Sequence, residues 1–238
     1  MCLYLAPDKP NVQNAARSLA RYMQKPTDQN YTQLRRLCRY LLGTMDYAAW
    51  IPKGGDYSLL EAYSDADHAG CKVSRRSTSC GVYVVGGAVI HCFSRTQKPL
   101  SLSSTESEWY AAADVASEGL FLLAVLSFVS LSTRMVLRID NSAALCLARR
   151  LGVGRIRHLD SRTLWLQSAV SRELFTLEKV DGKKNLADLG TKNHPGPRLR
   201  QLLLMMHVKG VHDRNMREEK SCSVIKRQPG IDEGAIKK

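Results

Sequence analysis

Residues 57–67, YSLLEAYSDAD, and residues 80–94, CGVYVVGGAVIHCFS, decide the fold. The first carries two tyrosines among short apolar residues, and the second is rich in β-branched and aromatic residues and split by Gly86-Gly87, a pair suited to the positive φ angles of a tight hairpin turn. They read as one strand followed by a β-hairpin. Downstream, Ser103-Ser104-Thr105-Glu106 forms a capping box, in which the Ser103 hydroxyl and the Glu106 carboxylate satisfy free amides at a helix start. That helix is expected to run to Val129. RMVLRID (134–140) reads as a short strand ending on a carboxylate, and NSAALCLARR (141–150) as a helix directly after it. Residues 155–172 read as an arginine-rich helix and FTLEKV (175–180) as a strand. NLADLGTK (185–192) opens a helix after the turn Asp181-Gly182-Lys183-Lys184. The order βββαβααβα predicts an α/β fold with a mixed five-stranded sheet and flanking helices.

On the N-terminal side, apolar residues recur at helical spacing from Val12 to Met23 and from Tyr31 to Leu42, with Pro10 and Pro26 as punctuation. Residues 1–45 read as a helical hairpin ahead of the sheet. The chain thus divides into a helical segment 1–53, an α/β domain 54–195 and a basic, disordered tail 196–238.

The 238 residues are 44% hydrophobic and 24% charged, too apolar for a disordered chain and long enough to bury a real core. The longest apolar run, Gly119 to Leu131, is broken by Ser127 and falls short of the ~18 residues a membrane span needs. No membrane partner is expected. The start, MCLYLAPDKP, has neither a basic nor an apolar signal region, which predicts a cytoplasmic or nuclear rather than a secreted protein. Seven scattered cysteines without a C-x-x-C pair read as free thiols, several of them buried, and the six histidines lack metal spacing. The net charge is +13, carried mainly by the flanks: 8 basic and 3 acidic residues over 1–53, 17 and 14 over 54–192, 10 and 5 over 193–238. Basic flanks around a nearly balanced middle favour a polyanionic partner.

Four acidic residues each sit where a strand ends or a helix begins: Asp65, Glu108, Asp140 and Asp188. If the strands ending at Asp65 and Asp140 are parallel neighbours, both carboxylates leave the same sheet edge and face the helix turn bearing Glu108. Such a cluster is unfavourable by itself and becomes sensible around hard divalent cations. Two Mg²⁺ ions ~3.5–4 Å apart would activate a water and stabilise the leaving oxygen of a phosphodiester, and Mn²⁺ could substitute. Any one of these carboxylates alone is more simply a solvated strand end or a helix-dipole partner, so only the set is informative. Asp67 shares a strand face with Asp65 and is its substitute candidate. Glu106 competes with Glu108, but the capping box gives it a structural task.

The string AYSDADHAG to SSTESEWYAA (62–112), followed by RIDNSAALCLA (138–148), RHLDSR (157–162) and NLADLGTK (185–192), closely resembles the ribonuclease H domain of copia-type retrotransposon Pol polyproteins. PDKPNVQNAARSLARYMQKPT (7–27) and RYLLGTMDYAAW (39–50) are similar to the segment joining reverse transcriptase to that domain. The resemblance implies a ribonuclease H-like fold and Mg²⁺-dependent endonucleolytic hydrolysis of the RNA strand of RNA–DNA hybrids. It assigns both metal-binding and catalytic roles to Asp65, Glu108, Asp140 and Asp188. The other domains of the polyprotein, reverse transcriptase among them, become candidate partners, while DNA synthesis is not expected of this chain. His68 stands where the family usually has Trp, and Cys80-Gly81 where it usually has Gly-Tyr. VDGKKNLAD (180–188) lacks the histidine that many cellular ribonucleases H carry before the last aspartate, which implies slow turnover.

Arg75, Arg76, Ser77 and Thr78, just after the first strand, are candidates for phosphate or sugar contacts, as are Lys183 and Lys184 beside Asp188. Arg155, His158 and Arg162 share a helix face that could follow a hybrid backbone. Trp109, Leu120, Leu123 and Leu126 read as core. Two readings stay open: an active retroelement-derived ribonuclease H, and a catalytically inactive relic that keeps the fold and binds nucleic acid through its basic flanks. A third, an integrase or exonuclease of the same superfold, shares the carboxylates but not the SSTESEW and ADLGTK strings.

Overall fold

The structure, a computed structural model, describes residues 2–152 and 163–211. Strands β2 (Leu59–Asp67), β3 (Thr78–Val85), β4 (Ala88–Thr96), β5 (Arg134–Ile139) and β6 (Thr176–Lys179) form a mixed sheet in the order β4-β3-β2-β5-β6. The first three strands are antiparallel, β5 runs parallel to β2, and β6 runs parallel to β5. All eight residues of β3 are buried, because an apolar strand without alternation fits a sheet covered on both faces. Gly86 and Gly87 turn the β3–β4 hairpin with φ of 59° and 81°, angles that a Cβ would strain. This is the mixed five-stranded α/β arrangement expected from the sequence.

One face carries the larger core, where Leu60, Ala62, Tyr83, Leu137 and Ile139 meet Trp109, Ala112 and Ala116 of α4 (Ser104–Phe128). Helices α5 (Ser142–Arg149) and α6 (Trp165–Ser171) complete that face with Leu145, Leu147, Leu166 and Ala169. Trp109 is fully buried, donating its indole N–H to Thr163 Oγ1 at 2.7 Å, and Leu120, Leu123 and Leu126 pack at the margin of the core as expected. The start of α4 departs in one detail from a capping box. Ser103 Oγ accepts from the Glu106 amide, but the Glu106 carboxylate accepts from the Leu102 amide at 2.7 Å, one residue before the cap.

The opposite face has a second core, where Tyr63, Val82, Val84 and Cys92 meet Leu186 and Leu189, together with Leu202, Leu203 and Met206. The last three belong to α8 (Gly196–Met205) and the turn after it, and they correct the expectation of a disordered tail from residue 196. Strand β7 (Val208–Gly210) follows and pairs antiparallel with β1 (Tyr47–Ala49). The sequence reading left this sheet face without a cover, and the apolar run 202–206 supplies it. Residues 212–238 lie outside the described residues, as do Arg155, Arg157, His158 and Arg162.

The N-terminal helices form the expected hairpin, α2 (Gln13–Ala20) against α3 (Asp28–Gly43), after a short α1 (Cys2–Leu5). Their small core is Ala6, Val12, Ala16 and Leu37. Helix α2 lies along the outer strand β4: Gln13 donates to the Cys92 carbonyl at 2.9 Å, and Arg17 reaches Ser94 Oγ and Thr96 Oγ1. A strand edge that would otherwise be open is thereby covered.

A second correction concerns α4. Its 25 residues are long and apolar enough, by length and composition alone, to cross a membrane. Counting only the run Gly119–Leu131 omitted the alanine-rich stretch Tyr110–Ala116, which here packs on the sheet. Free thiols are present as expected, with Cys71, Cys80 and Cys92 buried.

Candidate metal centre

In the parallel β2–β5 pair, Ser64 stands opposite Ile139, so the next residues, Asp65 and Asp140, leave the sheet side by side. The second turn of α4 crosses this edge and adds Glu108. One carboxylate oxygen from each of the three lies within 4.8 Å of the others. Asp65 and Glu108 are only 5% and 7% exposed, while Asp140 is half-buried.

Burial, opposed by the Thr191 hydrogen bond and reinforced by Asp140 and Asp188, raises the Asp65 pKa to about 7. Burial, then the charges of Asp65 and Asp140, push Glu108 up to about 9. Carboxylates crowded in low dielectric repel one another, and Asp65 and Glu108 both shift toward the protonated form. Asp65 Oδ2 accepts from Thr191 Oγ1, and Asp140 Oδ2 accepts from Asn185 Nδ2 at 3.2 Å. The same Asn185 amide group donates to the Ser64 carbonyl at 2.9 Å, so the side chain ties Asp140 to the end of β2. Glu108 Oε2 is buried without a hydrogen-bond partner among the described residues. A buried, unpartnered carboxylate oxygen facing two other carboxylates fits a hard divalent cation such as Mg²⁺ or Mn²⁺.

The neighbouring acids are placed differently. Glu106 is 1% exposed, with one oxygen on the Leu102 amide and the other accepting from Tyr110 Oη at 2.7 Å, a structural role that leaves the centre to Glu108. Asp67 lies outside the three-residue cluster. Its pKa is raised by burial and drawn back by Lys192, Arg17 and His68. Asp188 opens the short helix α7 (Asp188–Thr191), close enough to Asp65 to perturb its titration but outside the 4.8 Å set. Its carboxylate pairs with Lys192 Nζ and, at 3.3 Å, with Arg198 Nη2. His194 Nε2 lies 2.8 Å from the Asp188 carbonyl oxygen.

The helix α7 is seated by close packing. A Cβ on Gly190 would stand 2.4 Å from Cys80 Sγ, so the small Gly190 and the buried Cys80 occupy one space, and Ser94 Oγ donates to the Gly190 carbonyl. Cys80, where the family pattern has Gly, is thus accommodated by a glycine across from it.

The candidate substrate residues separate into two groups. Arg75 and Arg76 are exposed on the turn after β2, and Lys183 and Lys184 are exposed on the 3-10 turn Gly182–Lys184, where a Cβ on Gly182 would lie 3.6 Å from Asp140 Oδ2. Ser77 and Thr78, by contrast, are 0% and 2% exposed, and Ser77 Oγ accepts from the Ala69 amide. They hold the turn together and correct the expectation that all four residues of RRST face a substrate. Sequence reasoning passed over Asn185, Thr191, Lys192, His194 and Arg198. Of these only Lys192 had a local signal, its i, i+4 spacing from Asp188.

No family model matches this sequence. Among curated proteins, the chain is 33% identical over 192 residues to the retrovirus-related Pol polyprotein from transposon RE2 of Arabidopsis thaliana, covering 79% of this chain and 13% of that protein. It is 29% identical over 189 residues to the retrovirus-related Pol polyprotein from transposon TNT 1-94 of Nicotiana tabacum, covering 79% and 14%. The chain therefore spans about 13–14% of the length of these relatives. Among solved structures, RNase H1 from the halophilic archaeon Halobacterium salinarum NRC-1 aligns with a TM-score of 0.39 and 17% identity, over 56% of this chain and 94% of that one.

Proposed function

We propose that this chain, a homologue of the retrovirus-related Pol polyproteins from transposons, is a metal-dependent ribonuclease H that hydrolyses the RNA strand of RNA–DNA hybrids. The observation that carries this reading is the triad of buried Asp65 and Glu108 with half-buried Asp140, in which Glu108 Oε2 has no hydrogen-bond partner among the described residues. Without a cation the triad destabilises the fold; around one it is a ligand set of hard oxygens. A bound Mg²⁺ would polarise the attacking water and stabilise charge on the leaving oxygen.

The rest of the reaction falls to the side chains. Asn185 and Thr191 fix the rotamers of Asp140 and Asp65, so the carboxylates meet a phosphate already aligned. Water adds to the phosphorus and releases a proton to solvent as the P–O bond to the departing ribose oxygen breaks, and that oxygen takes up a proton from solvent. Arg75, Arg76, Lys183 and Lys184 are exposed on the turns after β2 and β6 and are suited to phosphate contacts. Such contacts position a hybrid by backbone shape and 2′-hydroxyls, with little reading of bases. Reverse transcriptase, another part of such polyproteins, is the natural source of the hybrid and a partner for this chain.

Cleavage of an end-labelled RNA–DNA hybrid in Mg²⁺ or Mn²⁺ tests the reading, with Asp140→Asn as the control. Cutting confined to the RNA strand and lost in the variant supports it. A folded wild-type chain that binds hybrid without cutting it would replace the enzyme with a nucleic-acid-binding relic.

A further inference from the structure

Helix α2 turns Gln13, Arg17 and, at its C-cap, Arg21 toward the outer strand β4, each four residues from the next and so on one helix face. The three read down the strand in order. Gln13 donates to the Cys92 carbonyl, Arg17 to Ser94 Oγ at 3.1 Å and Thr96 Oγ1 at 3.3 Å, and Arg21 to Thr96 Oγ1 at 2.6 Å. Arg17 also donates to Asn14 Oδ1 at 2.7 Å, and Asn14 in turn reaches Asn193 beyond α7, so the planar guanidinium is held in place. Like charges four residues apart oppose each other on a helix, yet among the described residues neither arginine has a carboxylate within ion-pair distance. Burial first, then Arg21, lower the Arg17 pKa to about 10 against the weaker attraction of Asp67, Cys80 and Cys71. Two oriented guanidiniums without a counter-ion suit an oxyanion.

Strand register relates this pair to the triad. Asp65 stands opposite Cys80 and Cys80 opposite Ser94, one row across β2, β3 and β4, and Asp67, Thr78 and Thr96 form the next row. Two strand spacings put Ser94 ~10 Å from Asp65 along the same sheet edge. The charge of Arg21 also lowers the Cys71 pKa, which sets Arg21 beside the turn that exposes Lys72, Arg75 and Arg76. That turn is closed by the Arg75 amide on the Cys71 carbonyl at 2.8 Å and the Cys71 amide on the Arg76 carbonyl at 3.2 Å. A basic strip therefore runs from α2 over the turn to the triad edge. A duplex strand carries one phosphate per ~3.4 Å of helix axis, so a backbone with one phosphate at the triad has others ~10 Å away.

We propose that Arg17 and Arg21 of the N-terminal segment form a phosphate site on β4, which grips the backbone of the hybrid seated at the triad. This rests on the hybrid reading above and extends it to residues outside the α/β domain. Helix α2 then has two tasks: Gln13 covers the strand edge, and the two arginines continue the nucleic-acid surface beyond it. Contacts of this kind set the position of the hybrid without reading its bases.

Fluorescence anisotropy of a labelled RNA–DNA hybrid on the full chain in EDTA, repeated over a range of NaCl, tests the site. Each phosphate held adds about 0.9 to the slope of log affinity against log salt. Arg21→Gln and Arg17→Gln are each expected to lower that slope by about one and to weaken binding roughly 3–10-fold. Arg21→Lys should keep the slope, and Arg36→Gln, an equal loss of charge at an exposed position of α3, should change neither quantity. A slope unaltered in Arg21→Gln, or lowered equally in Arg36→Gln, overturns the site and leaves the ribonuclease reading standing. Displacement of the hybrid by as much inorganic phosphate as the hybrid itself contains marks a small-anion site and likewise overturns it. A folded wild-type chain that does not bind the hybrid overturns the hybrid reading itself. Arg21 is exposed, so its variants decide even where Arg17→Gln does not fold.

Discussion

The triad and the Asp188 pocket occupy one sheet edge and use the same kind of ligand, yet they are electrostatic opposites. At the triad three carboxylates converge, and burial and mutual repulsion drive up the pKa values of Asp65 and Glu108. Around Asp188 a single carboxylate is matched by Lys192 and Arg198. The same residue type thus sits in two different charge environments on one edge of the fold. At the triad positive charge is missing, whereas Asp188 has two cationic side chains beside it.

Breaking the triad should have the largest effect. Asp140→Asn is expected to reduce hybrid cleavage by at least ~10³-fold, measured in single-turnover assays, because the ligands act as a unit. Asn185→Ala comes next: it removes the amide that holds Asp140 and is expected to weaken Mn²⁺ binding by about 10–100-fold, read from the loss of the free-ion electron paramagnetic resonance signal on titration.

Stability against pH sharpens the comparison. The folded pKa values of about 7 for Asp65 and about 9 for Glu108 lie above their ordinary values, so the folded chain keeps protons that the unfolded chain has released. Metal-free stability is then fullest in acid and falls as pH rises, through about 7 for Asp65 and about 9 for Glu108. Glu108→Gln should flatten that fall and stabilise the metal-free chain at pH 8 by about 2 kcal/mol, roughly 4–8 °C in Tm for a chain of this size. Mg²⁺ should raise the wild-type Tm more at pH 8 than at pH 6 and lose this effect in the variant. An unchanged pH profile in Glu108→Gln would place the strain elsewhere. The smallest effect is expected for Asp188→Asn, which should change the affinity for the first Mn²⁺ by less than about tenfold, or ~1.4 kcal/mol.

Much of this architecture was legible in the residues. The strand reading at 57–67, the Gly86-Gly87 turn and the Ser103 cap each rest on a few neighbouring positions, and each is found where it was expected. The cap even separated Glu106 from Glu108 before any geometry was known. The reading failed where a segment's role depends on a distant surface. Leu202, Leu203 and Met206 seemed unneeded until the second face of the sheet required a cover, and Ser77 and Thr78 looked available until the turn folded over them. Likewise α4 passed as too short for a membrane because an apolar run was counted instead of a helix.

The sequence by itself determined the strands, the helices and the four carboxylates at their ends, since those follow from periods of two and 3.6 residues and from caps a few positions long. Tertiary structure decided which carboxylates are left bare and which are paired. Thr191 and Asp65 are 126 residues apart in the chain and meet only because β2 and α7 pack together. The Coulomb energy that distinguishes a ligand from an ion-pair partner depends on distance through space, and no local pattern carries that distance.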